Sequence, residues 1–434
     1  MAKGIKKAER VPEIAPVSLG ELIHAQIRGA IEAAVHEELA AALGAAPYER
    51  TGVRRGYRNG VKARTLTGPT GPLALTLPRG TLFAAAGEQE WTSTLLPRYQ
   101  RRVREVNEAV VGTYLAGGNQ RRIRGALRPL LKAAPLSKSA VSRVVATLKD
   151  GLAEWLARSL AELDIVYLYL DALALRVRSA GKVVSVPVLT AVAVLADGDK
   201  QLLALELCSS ESAEAWHGFA AALEGRGLKA PLLCIIDGNA GLRRAVERVW
   251  PRAAVQRCCV HKLRNLERKA PRHALADLRE DFHHIVYAAT GDAARTAYRA
   301  FERAWGTRCP GVVRSLQEGG AELLTFFSFP KAQWKTLRTT NVIERLNEEF
   351  RRRVKTQGSL PTEDAALILL FGLVASGQIT LRKIDGYTKI AAVISTRMQP
   401  AAWTPDWGGY HGMARATNVA PEPNAGLRFQ SVLL

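Results

Sequence analysis

The sequence predicts an α/β protein whose core is a mixed β-sheet with helices on its faces. Three strand-like segments follow one another from residue 165, and strands then alternate with helices up to residue 257. Before this region, helical spacing and an excess of basic residues predict a separate, mostly helical and basic part of the chain. The 434 residues are enough for two or three domains with a substantial core.

The predicted strands are runs of β-branched and aromatic residues bounded by turn residues. They are Ile165–Val177, Val183–Leu195, Leu202–Cys208, Leu232–Ile236 and Ala253–Arg257. The helices between the last three strands are Ser212–Glu224 and Ala240–Trp250. Tight turns join the first three strands, which predicts an antiparallel meander. This order of elements, βββ-α-β-α-β, is that of a ribonuclease-H-like fold.

Helical segments surround and interrupt this core. Leu19–Leu43 has apolar residues at helical spacing, and residues 47–80, rich in Gly, Thr, Arg and Pro, predict short strands and turns that include Leu73–Leu77. Residues 262–330 predict an all-α block. Its helices are Leu275–Thr290, Ala293–Trp305 and Gly311–Leu324, and a further apolar helix is predicted at Thr362–Ser376.

Basic residues are concentrated in one part of the chain. The 61 Lys and Arg residues outnumber 40 Asp and Glu residues, which gives a net charge of +21. Residues 51–150 hold 18 basic and 5 acidic residues, so well over half of the net charge lies there. Because solubility does not require clustered charge, the pattern favours a surface that binds a polyanion, most commonly nucleic acid.

Residues 97–160 predict basic helices arranged as in a helix-turn-helix. The helices are Arg101–Leu115, Gln120–Lys132 and Ser137–Leu156, and Ser137 is placed to cap the last of them. The last helix of such a motif enters the major groove of DNA, which makes Lys138, Ser142 and Arg143 candidate DNA contacts. An ordinary helical bundle with a solvated basic face is the alternative.

Other protein classes are disfavoured. Five Cys residues in apolar settings do not suggest a disulfide scaffold, so a reducing interior is expected. Residues 1–16 predict a loose tail without the apolar region of a secretory signal. The longest apolar runs, 183–195 and 365–376, are too short to span a membrane. We therefore expect a cytoplasmic protein without a membrane partner.

Two aspartates are associated with predicted strands of the core. Asp171 interrupts the apolar first strand, where a charge is costly unless it faces solvent or binds something positive. Asp237 follows the strand Leu232–Ile236, and ligands collect at the carboxyl ends of strands in open sheets. With the first strand central and this strand beside it, the two carboxylates become neighbours. Close carboxylates repel unless a cation lies between them, and Mg²⁺ or Mn²⁺ suits such oxygen ligands.

A third carboxylate, Glu344, lies on a predicted helix. Ile343, Leu346 and Phe350 form the buried stripe of this helix, and Glu344 is at the rim of the stripe. Arg351, seven residues later, lies on roughly the same face and is a candidate phosphate contact. Two metal ions about 3.5–4 Å apart, held by three such carboxylates, catalyse in-line displacement at phosphorus.

Six short segments match one known family. They are RGYRNG at 55–60, LDALALRV at 170–177, SSESAEAW at 209–216, IIDGNAGL at 235–242, VQRCCVHKLRN at 255–265 and TTNVIERLNEEFR at 339–351. In these segments the sequence resembles the Mutator-type transposases of bacterial insertion sequences, which have a ribonuclease-H-like core with an Asp-Asp-Glu triad. The resemblance implies that Asp171, Asp237 and Glu344 are this triad and that the helices of 262–330 are an insertion domain.

The resemblance also covers a Cys-x-x-His feature, Cys258 and His261. By its ligand types this is half of a zinc site, but no second pair with suitable spacing is evident. A structural role or a contact near the active site, including one from His261 to the scissile phosphate, is the other interpretation. Trp216 is placed either to stack on a distorted base or to lie in the core.

These expectations combine into one hypothesis. The protein is expected to bind the terminal inverted repeats of its element and target DNA, and to cleave and join strands with Mg²⁺, for which Mn²⁺ substitutes. Because two ends must be held together, a homodimer is expected. Arg55, Arg58 and Lys355 are further candidate DNA contacts. The alternatives are a structure-selective nuclease of the same fold, and a non-catalytic DNA-binding protein derived from a transposase.

The expected domain layout follows the element order. Residues 1–96 are an N-terminal helix with a basic strand and turn region, and 97–160 are the helical DNA-binding region. Residues 161–261 and 331–398 form the catalytic domain, and 262–330 form the insertion. Residues 399–434 are expected to be an irregular tail.

Overall fold

The structure is a computed structural model that describes residues 18–85, 87–118, 120–132, 136–179, 181–355, 360 and 362–398. The expected loose tail at 1–16 and irregular tail at 399–434 lie outside these residues. The chain divides into two compact units, Met1–Val145 and Ala146–Leu434. The division falls within one helix, Lys138–Ala157, and each unit is described separately.

The first unit opens with a long helix, α1 (Leu19–Leu43), which has the predicted bounds. Ser18 and Glu21 cap its start reciprocally, since each side chain accepts a hydrogen bond from the backbone N–H of the other residue. Gly44 ends the helix in the left-handed conformation, with φ 66°. Both ends of α1 are therefore set by local sequence.

A three-stranded antiparallel sheet follows in the described part of this unit. Its strands are β1 (Gly56–Gly68), β2 (Gly71–Ala84) and β3 (Gly87–Glu90), in that order. Helix α1 packs against β2, and Val35, Leu66 and Leu75 are buried between them. The region predicted as short strands and turns is thus mainly one long hairpin, because burial against α1 extends the pairing well beyond Leu73–Leu77.

The basic helices of the first unit begin or break at points that the periodicity did not show. They are α2 (Arg104–Leu115), α3 (Gln120–Ala126), α4 (Arg128–Leu131) and the start of α5 (Lys138–Ala157). Thr67 pairs with the backbone of Arg101 and Val103, so α2 begins three residues after the predicted start. The turn proposed at 133–136 lies outside the described residues except for Leu136. Ser137 caps α5 as predicted, since its Oγ accepts the Ala140 N–H at 3.1 Å.

The second unit contains a five-stranded mixed sheet in its described residues. Its strands are β4 (Ile165–Ser179), β5 (Lys182–Leu195), β6 (Lys200–Leu207), β7 (Leu233–Ile236) and β8 (Ala254–Arg257). The spatial order is β6-β5-β4-β7-β8, with β4, β5 and β6 antiparallel and β7 and β8 parallel to β4. The predicted antiparallel meander of the first three strands is confirmed. The central position of the first strand, β4, and the position of β7 beside it are also confirmed.

Helices cover this sheet and follow it. They are α6 (Ala213–Gly225), α7 (Ala240–Val249), α8 (Cys259–Glu267), α9 (Leu275–Val286), α10 (Gly291–Arg308), α11 (Pro310–Gly319), α12 (Trp334–Leu337), α13 (Asn341–Lys355), α14 (Glu363–Ala375) and α15 (Ile390–Met398). The residues between 262 and 330 are helices and turns, as predicted. The predicted helix Gly311–Leu324 is wrong at its end, because Gly320 leads into a separate 3₁₀ turn, Gly320–Leu323.

The core of the second unit lies between the sheet and helices α6 and α7. Leu168, Ile236 and Leu242 are fully buried within it. All five cysteines are unpaired in the structure. Of the described helices, none is long and apolar enough to cross a membrane.

Candidate functional site

Asp171 and Asp237 lie at equivalent points on two neighbouring parallel strands. Strands β4 and β7 pair Leu170 with Ile236, and each aspartate is the next residue along its strand. Strand β7 ends here, and Gly238, with φ 103°, turns the chain toward α7 in a conformation that favours glycine. The Asn239 N–H donates to Asp237 Oδ1 at 2.8 Å, which holds this carboxylate at the strand end.

The Asp171 carboxyl is buried and surrounded by negative charge. Its residue is 7% exposed, so the sequence alternative of a solvent-facing Asp171 is wrong. Burial, and then the charges of Asp237 and Glu344, raise its pKa to about 7, although His261 opposes this rise. Asn347 Nδ2 donates to Asp171 Oδ2 at 3.3 Å. A carboxylate in this setting needs positive charge to remain ionised.

This raised pKa predicts a pH-dependent stability that Asp171→Asn removes. Between pH 3.8 and about 7 the folded protein keeps a proton that the unfolded chain releases, so the free energy of unfolding falls as the pH rises through this window. Without divalent metal, Asp171→Asn is expected to be more stable than the wild type at pH 8, by a few kcal/mol, and to lose this advantage near pH 4.

Urea unfolding of both proteins in EDTA, at about pH 5 and pH 8, checks this prediction. The quantity compared is the difference in unfolding free energy between wild type and variant, because the other titrating groups are common to both. A difference that does not change with pH would show that Asp171 is not a buried carboxyl with a raised pKa.

Glu344 approaches the same region from helix α13, which packs against β4. Ile343, Leu346 and Phe350 are buried as predicted, and the Glu344 side chain is 25% exposed at their rim. Its Oε1 lies 3.3 Å from His261 Nε2 and 3.5 Å from Arg264 Nη1. These partners hold Glu344 in a position from which its charge acts on Asp171.

Cys258 and His261 form a network that connects α8 to the start of α13. Cys258 is fully buried, and its Sγ accepts the Thr340 N–H and the Thr340 O–H, each at 3.3 Å. Burial raises the pKa of the Cys258 thiol, but hydrogen bonds and charge from His261, helped by Thr340, outweigh burial and lower it. The hydrogen bond to Cys258, and then the charges of Cys258, Asp171 and Glu344, raise the pKa of His261 to about 9 despite burial. His261 is therefore cationic at neutral pH.

Among the described residues, no three His, Cys, Asp or Glu side chains lie close enough together to enclose a metal ion. The residues nevertheless fit a hard cation, because Asp171 and Asp237 supply adjacent oxygen donors whose mutual repulsion a cation would relieve. In addition, Asn347 Oδ1 is buried without a hydrogen-bond partner in the described structure. Cys258 and His261 interact with each other, and Cys258 Sγ also accepts hydrogen bonds from Thr340.

Helix α13 also carries two of the predicted DNA contacts. Arg351 and Lys355 are exposed, and Arg351 lies seven residues from Glu344 on the same helix. Both residues belong to the unit that contains the three carboxylates. Because their side chains are exposed, they are available to an anionic ligand that binds this unit.

The other predicted DNA contacts belong to the first unit. Lys138, Ser142 and Arg143 are exposed in the first turns of α5. Arg55 is exposed just before β1, and Arg58 lies at the bulge of β1, where its Nε and Nη2 are buried without a hydrogen-bond partner among the described residues. Four of these side chains are thus exposed on this unit, and that of Arg58 is partly buried.

Trp216 is part of the core. It is 1% exposed on α6, where its ring packs edge-on against Phe219 with centroids 6.0 Å apart. Its indole N–H is buried and has no hydrogen-bond partner within the described residues. This burial favours the core interpretation of Trp216 over base stacking.

Three residues near the carboxylates were not singled out from the sequence. Arg264 contacts Glu344, and Thr340 contacts Cys258; the only signal for either residue was its position within a quoted motif. Asn347 had a clearer signal, because it is a polar residue four positions after Ile343, on the buried stripe of α13. Its contact with Asp171 explains that position.

Comparison with known proteins places the chain in a family. The family described as "Transposase, Mutator family" matches residues 4–379. The transposase for insertion sequence element ISRM5 of Rhizobium meliloti is 36% identical over 358 residues, which are 82% of this chain and 87% of that protein. The transposase for insertion sequence element IS406 of Burkholderia multivorans is 34% identical over 355 residues, or 80% and 88% of the two chains.

A solved structure, the Drosophila P element transposase strand transfer complex, aligns with 69% of this chain and 86% of that chain. The TM-score is 0.28 and the identity 9%, a level at which a shared fold is not established. The sequence matches, by contrast, extend over most of both chains. The chain belongs to the Mutator family of transposases.

Proposed function

We propose that this transposase cleaves and joins DNA strands by means of Asp171, Asp237 and Glu344, which hold two Mg²⁺ ions, with Mn²⁺ as a substitute. The observation that best supports this proposal is that Asp171 and Asp237 directly follow paired residues of parallel strands. Glu344 is near enough to raise the pKa of Asp171 further. We infer from the sheet order and these positions that the core is ribonuclease-H-like, formed by 161–261 and 331–398 with 262–330 as an insertion.

The side chains of the site have distinct parts in this proposal. When bound, two such ions would supply activation of the attacking oxygen and stabilisation of the leaving oxygen. Asp171 and Asp237 would hold them from the sheet, and Glu344, which contacts His261 and Arg264, would be the third ligand. Cationic His261 would then be available to donate a hydrogen bond to a phosphate oxygen.

The DNA is proposed to be the terminal inverted repeats of the element and a target duplex. Positive charge in residues 51–150 supports this, with Arg55, Arg58, Lys138, Ser142 and Arg143 as contacts in the first unit. Arg351 and Lys355 would hold phosphates near the carboxylates. A homodimer is proposed because two ends must be brought together for joining.

A strand-transfer assay tests the function. Labelled DNA ends of the element are mixed with wild type, with Asp237→Asn, and with Asp164→Asn as a matched control, because Asp164 is an exposed aspartate just before β4. Asp237→Asn keeps an acceptor for the Asn239 N–H. We expect joined products that require Mg²⁺ or Mn²⁺ and that are absent only with Asp237→Asn.

Two other results would contradict the proposal. Metal-dependent cleavage without joining would identify a structure-selective nuclease instead. Binding without chemistry by the wild type, with either metal, would identify a DNA-binding protein that has lost catalysis.

A further inference from the structure

A cleft of about 740 Å³ lies beside helix α13. Asn341, Arg345 and Arg352 line it from α13, and Lys335 lines it from α12. Its other wall includes Lys200 at the start of β6 and the segment 378–385. Every one of these residues belongs to the second unit. The cleft is separate from the carboxylates, which do not line it.

The cleft carries more positive charge than its own acids neutralise. Its cations are Lys200, Lys335, Arg345, Arg352, Arg382 and Lys383, and its acids are Glu349 and Asp385. Arg352 pairs with Glu349, and Lys383 pairs with Asp197 and Asp199. The other four cations have no ion pair with any described residue. They are therefore available to an anion from outside the chain.

Lys200 forms a partly buried part of the cleft wall. Burial lowers its pKa; Asp385 opposes this effect, and Arg345 adds to it more weakly than Asp385 opposes it. Lys200 therefore lies near both an acid and a cation of the cleft, and the surplus of positive charge rests on the cations without ion pairs.

The length of the cleft favours a polymer with repeated negative charge. Asn341 and Arg352 are eleven residues apart on α13, roughly 16 Å along the helix axis. This distance corresponds to roughly four to five base-pair steps of duplex DNA. Arg345 directly follows Glu344, so the cleft and Glu344 lie on adjacent faces of a helix only about 10–12 Å wide.

We propose that this cleft binds the phosphodiester backbone of a DNA segment that adjoins the reacting strand. The proposal rests on the proposed function, because it assumes that DNA reacts at Asp171, Asp237 and Glu344. Lys335, Arg345 and Arg382 contact the phosphates, and Lys200 adds charge at the wall. The DNA segment comes either from the transposon end or from the target, which share this chemistry.

The test compares Lys335→Ala/Arg345→Ala with Lys229→Ala/Arg303→Ala. Both changes remove two exposed positive charges from the second unit, but the control residues lie outside the cleft. Fluorescence anisotropy measures the affinity of the full-length proteins for a transposon-end duplex and for an unrelated duplex, in EDTA, across 50–200 mM salt.

The cleft variant is expected to bind about tenfold more weakly than the control variant, and its log–log salt slope is expected to be smaller by about 2. Weaker binding of the end duplex alone assigns the cleft to end DNA. Weaker binding of both duplexes shows that the cleft binds the backbone of any duplex, target DNA included. Affinity and slope equal to those of the control would overturn the proposal.

The two proposals fail in different ways. If the cleft variant binds like its control while Asp237→Asn abolishes joining, the cleft proposal is wrong and the function stands. If the cleft variant loses affinity while Asp237→Asn still cleaves and joins DNA, the cleft binds DNA but the assignment of the catalytic carboxylates is wrong.

Discussion

Glu344→Gln is expected to slow strand cleavage by at least about 10³-fold. A bound metal ion stabilises a phosphoryl-transfer transition state by several kcal/mol, and each 1.36 kcal/mol is a factor of about ten in rate. Replacing a charged ligand by a neutral amide weakens that binding. The glutamine still accepts hydrogen bonds from His261 and Arg264, so the local structure is expected to remain.

Glu348→Gln is the matched control for this prediction. Glu348 is exposed one turn further along the same helix, and no ion pair links it to another described residue. Single-turnover cleavage of a labelled end in Mg²⁺ measures the chemical step, and anisotropy measures DNA affinity. We expect both variants to bind DNA as the wild type does and only Glu344→Gln to lose cleavage. Equal cleavage rates for the two variants would exclude Glu344 from the catalytic site.

Trp216→Ala is expected to lower the free energy of unfolding by about 3–5 kcal/mol. The indole is 1% exposed in the core between the sheet and α6, so its removal leaves a large cavity. Such a loss is a large part of the stability of an ordinary domain. Urea unfolding at one pH and one protein concentration measures it.

Trp216→Phe separates the contribution of ring packing to stability from the cost of burying the indole N–H. Phenylalanine keeps most of the apolar volume and removes a donor that has no partner among the described residues. We expect its unfolding free energy to remain within about 1.5 kcal/mol of the wild type. If Trp216→Ala proved as stable as the wild type but bound DNA weakly, Trp216 would contact DNA and the core assignment would be wrong.

Most helices and strands of the second unit were predictable because their signals are local. Runs of β-branched and aromatic residues bounded by turn residues located β4 and β5 to within two residues of their observed ends. The short predicted strands Leu232–Ile236 and Ala253–Arg257 located β7 and β8 to within one residue, and the predicted start of α6 falls at Ser212, which caps the helix. Their arrangement in the sheet followed from the order of the elements, since tight turns require antiparallel neighbours and helical crossovers favour parallel ones.

Most differences between the predicted and the observed elements arose where long-range contacts decided the structure. Helix α2 begins late because Thr67 takes the backbone of Arg101 and Val103 into a strand-like pairing. The first unit forms a long hairpin because α1 covers it. One difference has a local cause: the predicted helix Gln120–Lys132 is two shorter helices, and Pro129, whose missing N–H is tolerated near a helix start, lies in the first turn of the second, α4.

The sequence by itself determined the family, the order of the elements and the identity of the three carboxylates as candidates, because motifs, spacing and periodicity are properties of neighbouring residues. Only the tertiary structure decided which side chains surround the three carboxylates. It buried Asp171 against Asn347, held Glu344 to His261 and Arg264, and joined Cys258 to Thr340. It also opened the cationic cleft beside α13. These features depend on residues that are far apart in the chain. The fold brings them close together and excludes water from around them, and both effects change their charge states and contacts.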